Sequence, residues 1–237
     1  MKKGNLALLL VVAFGSGAAQ AANTIDVAKI VGQDTFLAVS KDLASATSYK
    51  GLIPAESMGI TGFDIGIEAT STKLQNTAEI DAACGGCGLD TLVIPKVHLH
   101  KGLPFGLDVG MMYAGDSNAN VELIGYELRY AIVEGGVAMP AVGARLSYSK
   151  LDGIDALSLE SKGIDISVSK GFAMFTPYAG VGQNWVSASA TGFKDEDFTQ
   201  SKTFVGANIN FGLINFAVEA DKTGDASTVG AKLGIRF

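Results

Sequence analysis

Val229-Gly230-Ala231-Lys232-Leu233-Gly234-Ile235-Arg236-Phe237 closes the sequence with an apolar side chain at every odd position and glycine or a cation at every even one. A period of two belongs to a β-strand, whose successive side chains point to opposite faces, so this stretch has one greasy and one polar face. The pattern recurs upstream. Phe63, Ile65, Ile67 and Ala69 alternate with Asp64, Gly66, Glu68 and Thr70, and Val97 and Leu99 alternate with Lys96, His98 and His100. Comparable runs lie at 107–114, 124–131, 142–149, 164–169, 205–211 and 214–221. The segment from Pro177 to Ala190 is β-like but ambiguous, because both of its faces are small or apolar. Ten strands are expected, near 60–74, 90–103, 106–115, 119–133, 138–151, 156–172, 175–190, 201–212, 213–224 and 226–237.

The 237 residues are 48% hydrophobic and only 18% charged, which excludes a disordered chain. A net charge of −6 disfavours a nucleic-acid partner, because phosphate binding needs a basic face. Thirty glycines without a Gly-X-Y period exclude collagen. Met1-Lys2-Lys3, the apolar run Leu6 to Phe14, and Ala19-Gln20-Ala21 read as a secretory signal peptide, residues 1–21, cleaved after Ala21. No later apolar run is long enough for a spanning helix. The exported chain is therefore either a soluble periplasmic β-sandwich that binds a ligand or a β-barrel, the other fold that satisfies its backbone in lipid.

Three features favour the barrel. The polar faces mix glycine, serine, asparagine and isolated charges of both signs, as a narrow lumen would. Polar connections at 75–89, 115–119, 151–156, 191–201 and 224–226 alternate with short turns such as Leu103-Pro104-Phe105 and Gly212-Leu213. Barrels with outer loops and periplasmic turns show that asymmetry. Phe63, Tyr130, Tyr178, Phe211, Phe216 and Phe237 are expected as a girdle near the periplasmic strand ends, and Tyr113 and Tyr148 as one near the outer ends.

The terminal strand ending on Phe237 resembles the C-terminal signature of bacterial outer-membrane β-barrels. The runs from His100 to Gly110 and from Thr176 to Gly182 are similar to small OmpA- and OmpW-like barrels. That resemblance implies an outer-membrane location in a Gram-negative bacterium, with Phe237 as barrel-insertion signal read by the barrel-assembly machinery. It brings no catalytic residues. Outer-membrane enzymes of this general class place theirs near the outer rim or on the lipid face, unlike His98 and His100.

The expected fold is all-β: a closed antiparallel transmembrane barrel of about ten strands over residues 59–237, behind a partly helical segment, 22–58. Ile30, Val31, Phe36, Leu37, Val39, Leu43 and Ala44 give that segment a helical spacing. It either docks on the periplasmic mouth, enters the lumen as a plug, or forms a flexible lead-in. Expected inside the barrel are Asp64, Glu68, Asp108, Glu127, Asp165, Glu219 and Asp221, facing Lys96, Arg129, Arg145, Lys232, Arg236, His98 and His100. Buried charges must neutralise one another, so paired networks are expected, with Asp64 bonded to Arg236. Cys84 and Cys87 in an exported loop are expected to form a local disulfide. No metal or cofactor motif is present, since the loop lacks histidine and no glycine run has a phosphate-loop context. The expected function is non-enzymatic: a structural or surface-interaction barrel in outer-membrane lipid, or a narrow passive channel for small solutes. An outer-membrane hydrolase or acyltransferase is the alternative.

Overall fold

The computed structural model describes residues 29–116, 121–154 and 157–237. The expected signal peptide, its cleavage point and the strand starts at 119 and 156 lie outside the described residues. Ten antiparallel strands form one closed barrel: β1 (Phe63–Lys73), β2 (Thr91–Gly102), β3 (Leu107–Asp116), β4 (Val121–Val133), β5 (Ala141–Ile154), β6 (Leu157–Ser169), β7 (Phe175–Ala190), β8 (Glu196–Phe211), β9 (Ile214–Thr223) and β10 (Ala226–Arg236). Each pairs with its sequence neighbours, and β1 pairs with β10 to close the ring. Closure leaves no edge strand with unpaired backbone groups. At the seam, Phe63 and Phe237 exchange backbone hydrogen bonds of 2.9 and 3.0 Å. Short turns join the strands at the seam end, called here the turn end; the other connections lie at the opposite, loop end.

The expected strand count holds, with two local differences. Residues 196–200 belong to β8, shortening the 191–201 connection. The 75–89 connection contains a helix, α2 (Thr77–Cys84), which follows α1 (Gln33–Thr47) in chain order. Among the described residues no helix is long and apolar enough to cross a membrane.

The barrel wall reverses its polarity partway along. Toward the turn end the outward side chains are apolar: Ile65 and Ile67 on β1, Leu128 and Tyr130 on β4, Phe216 and Val218 on β9, Leu233 and Ile235 on β10, all exposed. Toward the loop end the outward positions become Ser71 and Lys73, Lys150 and Asp152, Lys222, and Ser227. The interior changes in the opposite sense. Charged side chains line the turn-end half, whereas Leu92, Leu123, Leu151, Leu157, Leu159 and Val186 point inward near the loops. The apolar outward run is about seven residues, or ~23 Å along a strand. On β6 and β7 the parity of the apolar residues switches within one strand, as from Leu157 and Leu159 inside to Ile164 and Ile166 outside. That switch is why 177–190 reads ambiguously in sequence.

Among the expected girdle residues, Tyr130, Phe211, Phe216 and Phe237 are exposed on the outside. Tyr178 is a correction. It is buried in the lumen, where its hydroxyl bonds Glu219 at 3.0 Å, because its parity on β7 is that of inward Thr176 and Asn184.

α1 sits at the loop end. Phe36, Val39 and Leu43 are buried among the apolar inward side chains there, and Phe36 stacks on Phe193 of the β7–β8 connection at 4.9 Å. Gln33 bonds Lys194 O at 2.8 Å and Glu196 at 2.6 Å. The helix lies away from the mouth where Phe63 meets Phe237. The reason is physical: its greasy face needs apolar lining, and only the loop-end half of the lumen supplies it.

Candidate functional site: the filled lumen

The chain leaves α1 at Ser48 and descends through the barrel to the turn end. Residues 48–55 are all buried. This segment forms no regular structure, so its backbone polar groups need partners from the wall. Lys202 donates to Tyr49 O at 2.9 Å, Arg129 to Pro54 O at 2.6 Å, Ala55 N to Ser169 at 3.1 Å and Met58 N to Asp108 at 3.0 Å. Lys101 then bonds Ile60 O and Gly62 O as the chain turns into β1.

Wall glycines make room for this path. A Cβ on Gly143 would sit 2.7 Å from Ala55 O, and one on Gly102 only 1.9 Å from Gly59 O. In the plug itself, a Cβ on Gly51 would overlap the Arg145 guanidinium. The lumen and the segment inside it are shaped to each other.

The strand register sets the electrostatics. Asp108, Arg129, Arg145, Asp165, Gly182 and Lys202 are successive cross-strand partners on β3 to β8, which sets Asp108 beside Arg129 and Asp165 beside Arg145, while the adjacent Arg129 and Arg145 share Glu127. Arg129 bonds Asp108 at 2.6 Å, Arg145 bonds Asp165 at 2.9 Å, and Lys202 reaches Asp165 at 3.3 Å. Glu127, two residues from Arg129, receives Arg129 Nε and Arg145 Nη1 at 3.3 Å each and lies 3.1 Å from His100 Nε2. Glu68 holds Lys96 and His98, both at 2.8 Å. The Tyr49 ring stacks on His98 with centroids 5.6 Å apart.

Asp64, Glu68, Lys96, His98, His100, Asp108, Glu127, Arg129, Arg145, Asp165, Glu219 and Lys232 are all buried in this interior, and Arg236 is half-buried at the turn-end rim. The expected Asp64–Arg236 ion pair does not form. The two stand opposite in register, yet Asp64 bonds Lys232 at 2.8 Å. Lys232 lies opposite Glu68, whose carboxylate is already held by Lys96 and His98, so its ammonium turns to Asp64.

Two lumen cations were not in the sequence reading. Lys202 has the inward parity of Asn208, and extending the β8 alternation back by three inward steps would have found it. Lys50 comes from the plug, bonds Asp221 at 2.8 Å, and no wall pattern points to it. With both added, the seven wall carboxylates expected from sequence face seven permanent cations.

At the loop end, Cys84 and Cys87 are disulfide-bonded with Cα atoms 5.7 Å apart. Cys84 ends α2 and Gly85 caps it in the left-handed conformation. A cleft of about 300 Å³ opens beside α1, lined among others by Asp34, Lys41, Asp42, Gln200 and Asp225.

No protein-family model and no curated protein matches the chain. Solved structures similar to it include a loop-deletion mutant of OmpT, an outer membrane protein of Vibrio cholerae, at 13% identity and a TM-score of 0.31. That match covers 61% of this chain and 54% of the other, so the chain spans about half of that protein. Neisserial surface protein A matches at 11% identity over 73% of this chain and 95% of that one, with a TM-score of 0.32. The translocator domain of autotransporter NalP from Neisseria meningitidis matches at 9% identity over 86% and 98%, with a TM-score of 0.42. At these identities and scores the likeness adds nothing to the strand pairing described above.

Proposed function

We propose that this protein is a non-enzymatic outer-membrane β-barrel, sealed by its own N-terminal segment, whose contacts with other molecules are made at the loop end. The observation that carries this is the lumen, occupied by the buried residues of 36–55, with most wall charges paired to one another and Asp221 paired to Lys50. A polar channel would need those groups facing water. The apolar outer band beside the turns supports lipid contact, because backbone in hydrocarbon is satisfied only by helices or closed barrels. The polar outer wall toward the loops supports a stem projecting into water, and the short turns at the other end support turns in the periplasm with loops facing outward. Outer-membrane lipid is then the main partner, β10 is the segment offered to the assembly machinery, and a net charge of −6 disfavours nucleic acid.

The hydrolase or acyltransferase alternative needs a histidine within reach of substrate. His98 and His100 are fully buried, held by Glu68 and Glu127 beneath Tyr49, which favours a structural role. The test is planar-bilayer recording on purified protein that migrates as a heat-modifiable band. Silence is the expected result; steady single-channel steps from the wild-type protein would overturn the sealed reading.

A further inference from the structure

The path of the chain fixes which end of the barrel its N-terminal segment reaches. Gln33 is tied to Lys194 and Glu196, Asp42 accepts the amides of Gln75 and Asn76, and Gln200 bonds Lys41 O, all at the loop end. Phe63, thirty residues later, is bonded to Phe237 at the turn end. Between them the chain crosses the whole lumen once. Val31, just before α1, is exposed to solvent at the loop end.

We infer that the barrel carries its own N-terminal segment across the membrane and holds it on the outer face, an activity distinct from sealing the lumen. The inference rests on the proposed orientation, with loops outward. The exported chain reaches the assembly site from the periplasm, so residues up to Thr47 must cross to the far side. An α-helix with side chains is ~10–12 Å across. This lumen is lined by inward charges, and its wall glycines already touch an extended chain, so α1 cannot thread through the finished barrel as a formed helix. Its residues therefore reach the loop end either as an extended chain or before the β1–β10 seam closes around residues 48–58.

Single cysteines at Val31, at Thr191 in the β7–β8 connection and at Val137 in the β4–β5 turn test this, the native cysteines being disulfide-bonded. Intact cells are treated with a membrane-impermeant polyethylene-glycol maleimide, and folding is monitored by heat-modifiable migration. The expected result is labelling of Val31→Cys and Thr191→Cys in intact cells, with Val137→Cys labelled only after permeabilisation. Labelling of Thr191→Cys in intact cells, with Val31→Cys labelled only after permeabilisation, overturns the inference and leaves the orientation standing. Labelling of Val137→Cys but not Thr191→Cys overturns the orientation itself. An epitope inserted before Lys29 provides a second readout. Antibody binding to intact cells supports outer display, and binding confined to permeabilised cells overturns it.

Discussion

The Lys50 ammonium lies 2.8 Å from an Asp221 carboxylate oxygen, and neither side chain is more than 2% exposed. One partner belongs to the segment inside the barrel and the other to the wall, so this bond couples the stopper to β9. Lys50 also donates to Ser45 O and Ser48 Oγ, which ties the foot of α1 to the same point. Removing one member of a buried pair leaves an uncompensated charge and costs about 3–5 kcal/mol. Lys50→Met is expected to lower the temperature at which the folded gel band disappears. The double variant Lys50→Met/Asp221→Leu is expected to recover most of that loss. Equal losses in both would show that the ion pair is not what Lys50 contributes.

Gly143 faces the plug backbone at Ala55 O, and Gly102 faces Gly59 O, just beyond the plug. Gly143→Val and Gly102→Val are expected to push it aside and yield channel events in planar bilayers or protease cleavage within residues 48–58. Gly136, around which a Cβ would find open space, provides the control: Gly136→Ala is expected to stay silent and protected.

Asp42 supplies a pH dependence at the loop end. Burial holds its carboxyl above the ordinary value of 3.8, against the lowering effect of hydrogen bonds from Asn76 and Gln75. The folded state therefore binds this proton more readily than the unfolded chain. The resulting stability is fully present below pH 3.8 and is lost as pH rises through the folded value. The thermal midpoint of the wild type, measured relative to Asp42→Asn, is expected to rise on acidification through that window. Asp42→Ala strips both amides of their acceptor and is expected to cost about 0.5–1.5 kcal/mol per lost bond at any pH, because water reaches Gln75 and Asn76.

Trp185, the single tryptophan, points outward where the apolar band gives way to the polar stem. Across the strands it continues a row with Lys162, Tyr148 and Tyr126. Aromatic side chains with a polar edge settle at the membrane–water interface. Its fluorescence is expected to be quenched more by lipids brominated near the headgroup than by lipids brominated deep in the chain. The reverse order would place the apolar band elsewhere on the wall.

The barrel was legible in the sequence because alternation is a local property. Val229 to Phe237 announces β10 without any knowledge of its neighbours, and most inward charges follow from parity alone. The loop-end half of the wall was harder to read. There the apolar face changes sides, so Leu157 and Leu159 share parity with Asp165, and a single rule for the strand fails. Pairing was less legible still. Asp64 and Arg236 stand opposite in register, yet the partner of Asp64 depends on whether Glu68 is already satisfied, a fact about three strands at once. The course of residues 48–58 left almost no local trace, since an extended chain satisfied by wall side chains has no period of its own. Helix α2, at eight residues, is too short for a periodic signal to separate it from a polar loop.

The continuity of residues 55–63 means that stopper and barrel are one molecule, joined a few residues from the seam. If thermal motion frees the segment from its track, it stays within tens of ångströms of its seat, at an effective concentration that dilution cannot lower. Re-docking is then intramolecular and independent of expression level. A detached inhibitor peptide of the same sequence would have to compete against that built-in advantage.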